Sequence, residues 1–453
     1  MESLFTQALG LNEPWHVVYV DFRPTEGVIA FQIDNVAKRL DCPACGAVDQ
    51  PIHDRLSRSW RHLNFFQYQA VLQARVPRVA CTACEKTSQI DVPWARDGSG
   101  FTQRLEAFVI ALCEQMPVLA VSQLLGVSDD RIWRVLDHYV SQARANEDFS
   151  AVRRISADER SARRGHRYVT MFCDADERRL LFATPGKNAS TLAPFAEDLA
   201  AHGGDAEAIT DVSLDLGAAY QAGVRMRCPN AVVSFDPFHV MALANEALDQ
   251  VGRAEVKHEV QLKGVRWGTL KDAAKWTHKQ RTQMHWLQRS GLKTARGWRL
   301  KERLREVFVQ CTDRAAAEAP LPRWISWVSR CRLAPFKRLA ETVKKHLTGI
   351  LEYFRTGLNN GFAEAINGRV QAAKTRAKGY GTDAHLITIS YLVCAKLRHL
   401  PKNPWLHPAK PIGTRESTTP NEREPPRTIR RCRSCVTRTR SQTHACPSAL
   451  WSC

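Results

Sequence analysis

The chain has 453 residues, of which 44% are hydrophobic, enough to bury cores in about three domains of the usual roughly 100–200 residues. No stretch approaches the about 18 consecutive apolar residues of a membrane-spanning helix, and "MESLFTQALGLNEPWHV" lacks the basic-then-apolar order of a secretory signal. A cytoplasmic protein with no membrane partner is therefore expected. The formal charge of +19 points to a polyanion as partner, most simply nucleic acid.

Residues 1–100 read as β-rich, with "VVYVDF", "GVIAFQI", "YQAVLQARV" and "RVACTAC" as short apolar runs. Two CxxC pairs lie here, "CPAC" (Cys42, Cys45) and "CTAC" (Cys81, Cys84). Each such knuckle presents two thiolates from one tight turn, so together they supply the four ligands of a tetrahedral structural zinc. Their separation exceeds the common ribbon spacing of about 15–20 residues. A β-hairpin insert, "RSWRHLNFFQYQAVLQARV", accounts for the excess, and His53 and His62 are substitute ligands.

Residues 101–147 turn helical. "PVLAVSQLLGVSDDRIWRVLDHYV" has the form of a helix-turn-helix around Gly126, with Ser128 as the N-cap of its second helix. Val121, Leu124 and Leu125 should pack on Ile132, Val135, Leu136 and Tyr139. Arg131, Arg134 and His138 would then face a DNA groove. Residues 152–240 run β-β-β-α-β-α-β, the order of a mixed sheet carrying helices. Residues 241–350 are helical, basic and tryptophan-rich; the helical pattern resumes over 351–399. Residues 400–453 are rich in Pro, Thr and Arg and should be disordered. Counted from 401 they contribute +7, so the rest of the chain still holds +12.

Phosphoryl transfer with two metals needs carboxylates converging from different elements, and strand ends of an α/β sheet collect them. "ISADE" puts Asp158 at the end of the first strand, "VSLD" puts Asp215 at the end of the fourth, and "SFDPFH" puts Asp236 and His239 just beyond the fifth. Asp174 and Asp211 are rivals. Glu364 opens the helix of "NNGFAEAINGRV", with Asn367 on the same face. An acid there compensates the helix dipole at the least, worth about 0.3–1 kcal/mol.

Taken in order, the zinc knuckles, the helix-turn-helix, "SADERSARRGHRYVTMFCDAD", "DLGAAY", "PNAVVSFDPFHVMALANEALDQV", "QLKGVRWGTLK" and "NGFAEAINGRVQAAKTRAKGYG" resemble the ISL3 family of bacterial insertion-sequence transposases. The resemblance covers roughly residues 40 to 400. It implies an RNase H-like α/β domain interrupted by an all-helical insertion, with Asp158, Asp215 and Glu364 as an Asp-Asp-Glu triad holding two magnesium ions. Asp236 and His239 match the family's D-x-F-H signature as supporting elements. Terminal inverted repeats and target DNA are the implied partners, bound by a homo-oligomer at the bacterial nucleoid. Arg369, Lys374, Arg376 and Lys378, on and just after the glutamate helix, would lie along phosphates. The rival reading is a sequence-specific DNA-binding regulator with an inactive catalytic domain. Two features depart from the family. Leu216 and Gly217 follow Asp215 where Met-Ser is usual, and the tail carrying Cys432, Cys435, His444, Cys446 and Cys453 has no counterpart. That tail reads as an extension or as a second metal cluster.

Overall fold

The computed structural model describes residues 2–163, 167–214, 216, 218–358 and 361–405. Asp215 and the cysteines and histidine of the tail lie outside the described residues.

After a short helix α1 (Glu2–Ala8), the N-terminal region is a sheet of β1 (Trp15–Arg23), β2 (Val28–Asn35), β3 (Arg39–Leu40), β4 (Gln50–Arg61), β5 (Gln69–Ala80) and β6 (Thr87–Gln89). The strand order is β1-β2-β5-β4-β3, with β6 on β5. Alternation along β5 buries Ala70, Leu72, Ala74 and Val76. Trp15 and Trp60 each meet Trp94 edge-on, at 4.9 and 5.5 Å. Such aromatic pairs add about 0.5–1.5 kcal/mol beyond area burial. The hairpin β4–β5 spans the gap between the two cysteine knuckles. "RVACTAC" is not a strand of its own: β5 runs unbroken to Ala80, and the second knuckle turns at Cys81.

Helices α2 (Gln103–Gln115), α3 (Val118–Leu125) and α4 (Asp129–Ala145) follow. Gly126 ends α3 in the left-handed region, at φ 65°, where a side chain would be strained. Val121, Leu125, Ile132, Val135 and Leu136 share one core as expected. Leu124 does not: it is 60% exposed, because one residue is about 100° of helix rotation and Leu125 already takes the inward position. Ser128 stands at the N-cap with extended backbone, but its hydroxyl makes no capping bond. Glu106 of α2 is fully buried. It accepts from Arg96 at 3.0 and 3.1 Å, Ser99 at 2.7 Å and the Tyr139 hydroxyl at 2.8 Å. That network joins the segment leaving the β-rich region to the helix-turn-helix.

A second sheet contains β7 (Arg154–Arg163), β8 (Arg167–Asp174), β9 (Arg179–Pro185), β10 (Asp211–Leu214) and β11 (Val232–Phe235). Its order is β11-β10-β7-β8-β9, with β7–β8–β9 antiparallel and β10 and β11 parallel to β7. The chain is thus a mixed α/β protein. Helices α5 (Leu192–Ala201) and α6 (Ala218–Arg227) cover one face through Phe172, Phe195, Val212 and Val224. The other face packs through Val169, Met171 and Cys173 into the core shared with α2–α4.

Helix α7 (Pro237–Glu255) leaves β11 directly. Then come α8 (Arg266–Leu270), α9 (His278–Arg289), α10 (Lys293–Gln310), α11 (Arg314–Glu318), α12 (Pro320–Ser329), α13 (Ala334–Lys345) and α14 (Leu347–Thr356). They enclose their own core, with Val240, Leu248, Leu304, Trp324, Phe336 and Ile350. The last of them returns to the sheet. Gly349 of α14 lies so close to β11 that a Cβ there would collide with the Phe235 ring. Arg355 of α14 donates to buried Asp211 of β10 at 2.6 Å and to Glu352 at 2.5 Å. Helices α15 (Gly361–Arg376) and α16 (Asp383–Cys394) complete the described structure, packing against β7 and β9 respectively. No described helix is long and apolar enough to cross a membrane.

Candidate metal centres and nucleic-acid interface

The four cysteines converge. Their Sγ atoms all lie within 4.8 Å of one another, with Cys42 to Cys84 at 3.8 Å and Cys45 to Cys81 at 3.5 Å. A zinc tetrahedron with bonds of about 2.3 Å has edges of roughly 3.8 Å, so this donor set fits zinc. The Cys84 backbone N–H, bonded to the Cys81 sulfur, draws that thiol down to about 7, toward the thiolate that a metal requires. Neither substitute ligand belongs to the gathered set. His53 faces Asp54 at 3.5 Å. His62 points its Nδ1 at the Thr102 hydroxyl, 2.8 Å away, and burial beside Arg104 and Arg61 pushes its pKa down to about 4.

The carboxylates come together more loosely. Asp158 is not at a strand end, because the hairpin with β8 carries β7 on to Arg163. It does lie two residues beyond Ser156, where pairing with β10 stops. Ser156, Ser213 and Ser234 form one buried rung across β7, β10 and β11. Strand alternation puts Asp158 on the same face as that rung, toward the carboxyl ends of the parallel strands. Asp236 is buried just past β11 and caps α7 by accepting the Phe238 N–H at 3.0 Å.

Helix α15 brings Glu364 to this face. Asn367 Nδ2 donates to Asp158 Oδ2 at 2.5 Å, which ties the helix to β7. The Glu364 carboxyl is shifted above its ordinary pKa by burial and then by the charge of Asp236; His239 opposes the shift and Asp158 adds to it. Several side-chain polar atoms on this face are buried without a hydrogen-bond partner among the described residues, including Asn367 Oδ1, His239 Nε2 and the hydroxyls of Ser156 and Ser213. Orphaned polar atoms beside several carboxylates suit a hydrated cation. Among the described residues, only the four cysteines are already gathered as a metal-ligand set.

The two rival acids are engaged elsewhere. Asp174 accepts the N–H groups of Asp176 and Glu177 in the β8–β9 turn, at 2.9 and 3.1 Å. Its partner on β7 is Ile155, away from Asp158. Asp211 holds Arg355 and the Thr210 hydroxyl.

Of the expected DNA-facing residues, Arg134 and His138 are exposed on α4. Arg131 is not free: its guanidinium lies 3.9 Å over the Phe101 ring and donates to the Gly100 carbonyl at 3.2 Å. The opposite side of α4 is also taken, with Trp133 stacked on His385 at 3.7 Å and Asp137 accepting from Thr388 at 3.0 Å. Arg369 and Lys378 are exposed. Lys374 donates to the Ser161 carbonyl at 2.8 Å and Arg376 to the Gln115 carbonyl at 2.5 Å. Asn367 received no role from the sequence, although its three-residue spacing from Glu364 was the signal. The Asp211–Arg355 contact had no local signal.

Three family models match the chain. A transposase model of the ISL3 type covers residues 155–390, a helix-turn-helix domain of transposase family ISL3 covers 90–140, and a zinc finger of the transposases of IS204, IS1001, IS1096 and IS1165 covers 39–84. Among curated relatives, the transposase for insertion sequence element IS1557 of Mycobacterium tuberculosis is 31% identical over 444 residues, spanning 89% of this chain and 97% of its own. The transposase for insertion sequence element IS1001 of Bordetella parapertussis is 26% identical over 391 residues, spanning 84% and 95%.

Proposed function

This chain belongs to the ISL3 family of transposases, and we propose that it cuts DNA at the ends of an insertion sequence and joins the freed ends to target DNA. The observation that carries this reading is the Asn367–Asp158 bond. It sets the helix of Glu364 on the strand of Asp158, beside Asp236 and His239, although these acids are remote in sequence. The order β9-β8-β7-β10-β11, three antiparallel strands followed by two parallel ones, supports an RNase H-like assignment for the sheet, with the segment 241–350 as its helical insertion.

In this reading Asp158, Asp215 and Glu364 hold two magnesium ions. When bound, such ions lower the pKa of a water and neutralise charge on the attacking and leaving oxygens of a phosphodiester. The protein's own groups prepare the place. Asn367 holds one oxygen of Asp158, and the Glu159 backbone N–H donates to the other at 2.8 Å, so the carboxylate is fixed at both ends. Asp236 spends one oxygen on capping α7, which sets the position of His239 one turn along. The buried serine rung keeps the floor beneath the acids small and polar. Water attack at the element end leaves a 3′-hydroxyl, and that hydroxyl attacks a target phosphodiester and displaces a second 3′-oxygen. The zinc ribbon (residues 1–100) and helix-turn-helix (101–147) recognise terminal inverted repeats, with Arg134 and His138 toward the groove. Joining two ends to one target calls for a homo-oligomer on DNA.

The test is magnesium-dependent cutting of a labelled duplex carrying the element's end by the purified full chain. Cutting that disappears when magnesium is omitted and returns when it is added back supports the proposal. Tight, specific binding with no cutting at any magnesium concentration would give the regulator reading instead.

A further inference from the structure

On the side of α15 away from Glu364, a cavity of about 590 Å³ opens between the start of β7, the β8–β9 turn and the segment after α16. Arg154, Arg178, Arg369 and Lys396 line it, with Phe362 and Ile366 contributed by α15. Four cations from four separate segments therefore meet around one hollow. Like charges brought together oppose folding unless an anion joins them.

Two of the four stand where glycine is the less strained residue. Arg178, just before β9, has φ 53°, and Lys396, just after the cap of α16, has φ 54°. A side chain in the left-handed region carries strain that glycine does not, and strain of this kind gathers at binding sites. The remaining geometry separates supports from free donors. Arg154 Nε donates to Asp176 at 2.9 Å, and Lys396 Nζ donates to the Glu177 carbonyl at 2.6 Å. Both contacts steady the turn that carries Arg178. Arg178 and Arg369 are exposed and make no hydrogen bond or ion pair with any described residue.

We propose that this cavity seats the phosphodiester backbone of a DNA strand, with Arg178 and Arg369 as its phosphate donors. The proposal rests on the transposase reading only for the identity of the polyanion. It places a second DNA contact about one helix diameter, roughly 10 Å, from the carboxylates. The apolar floor of Phe362 and Ile366 suits a deoxyribose between two phosphates.

The experiment uses the full, zinc-loaded chain with magnesium omitted, so cleavage does not enter. Anisotropy of a labelled end duplex is followed against salt, since each phosphate contact contributes a slope of about 0.9 in log affinity against log salt. Arg178→Gly with Arg369→Ala should lower that slope by about two contacts, while Arg178→Gly alone holds or raises Tm because the left-handed strain is relieved. Inorganic pyrophosphate should raise the Tm of the unaltered protein more than that of the double variant. An unchanged slope with a raised Tm would make Arg178 an ordinary turn residue and overturn the proposal. A lost pyrophosphate response with an unchanged DNA slope would also overturn it, in favour of a small-anion pocket. If the double variant loses stability, Arg369→Ala alone decides. It sits on an exposed helix face, and a slope lowered by about one contact supports the seat, whereas an unchanged slope removes it. Failure of the carboxylate reading would appear as normal cutting by Glu364→Gln, a result to which this assay is blind.

Discussion

The cysteine cluster and the carboxylate cluster both suit metals, yet they are built in opposite ways. The cysteines come from two tight turns bridged by one hairpin, and their sulfurs already stand 3.5 and 3.8 Å apart. The carboxylates come from β7, the end of β11 and α15, and no described set of them reaches metal-binding distance. Asp215, the remaining acid of the expected triad, lies outside the described residues, and charge acts on those that are described. Neutral thiols pack together at little cost, whereas buried carboxylates resist ionisation, as the raised pKa of Glu364 shows, driven first by burial and then by the charge of Asp236. A structural site can be complete in the fold; a site of hard acids needs a cation to close it.

The largest effect should come from the local site. Cys81→Ser removes one of four thiolates, and apparent zinc affinities in such knuckles are about 10–16 kcal/mol. Zinc content of the purified chain should fall from one per chain toward zero, with loss of β-structure by circular dichroism. Retention of zinc and native structure would mean that these cysteines do not hold a structural metal.

Next is the dispersed site. Glu364→Gln or Asp158→Asn should leave the fold and end-binding intact. Magnesium-dependent cutting should drop by about 10²–10³-fold, the scale for removing one electrostatic element of a preorganised site. Combining the two should cost little more, because metal ligands act as a unit. Asp174→Asn, in the β8–β9 turn, is the control and should cut nearly normally. Near-normal cutting by the glutamine variant would return Glu364 to dipole compensation.

His62 sharpens the boundary of the zinc set. Its pKa of about 4 lies below the usual 6.5, so the unfolded chain binds the extra proton first. Its contribution to stability is complete above pH 6.5 and is lost as pH falls toward 4, on the order of 3 kcal/mol. The Tm difference between the unaltered protein and His62→Gln should therefore shrink or invert across that window, with zinc content equal in both. A loss of zinc in the glutamine variant would place His62 among the ligands after all.

The smallest effect probes how the insertion serves the carboxylates. Arg355→Met breaks the contact with buried Asp211, at about 1–3 kcal/mol for a stranded buried acceptor. The half-exposed guanidinium puts the value near the lower end. Cutting should weaken more than end-binding, because α14 leads directly into the segment before Glu364. Equal loss of both, by parallel cleavage and anisotropy measurements, would mean that the contact holds up the whole chain.

Legibility follows sequence distance. The knuckles, the turn at Gly126 and the strands β7–β11 could be read because each depends on residues within a few positions of one another. Strand β4 could not be read as cleanly. "QPIHDRLSRSWR" is mostly polar, and it is a strand because β5 supplies its hydrogen bonds, with Trp60 opposite Leu72. Arg131 looked like a groove-facing base reader from helix periodicity. Only the placement of Phe101 and Gly100 beside it showed that it closes an internal contact.

The sequence by itself determined the charge, the zinc donor set, the order of elements and the family, because those reside in residue types and short spacings. Tertiary structure decided the rest. It chose which acids meet, with Glu364 near Asp158 and Asp236 while Asp174 and Asp211 hold a turn and a guanidinium. It also gave Asn367 its partner on β7. A carboxylate has the same letter whether it caps a helix, pairs with an arginine or waits for a cation. Its neighbours across the fold, through burial and charge, make the choice.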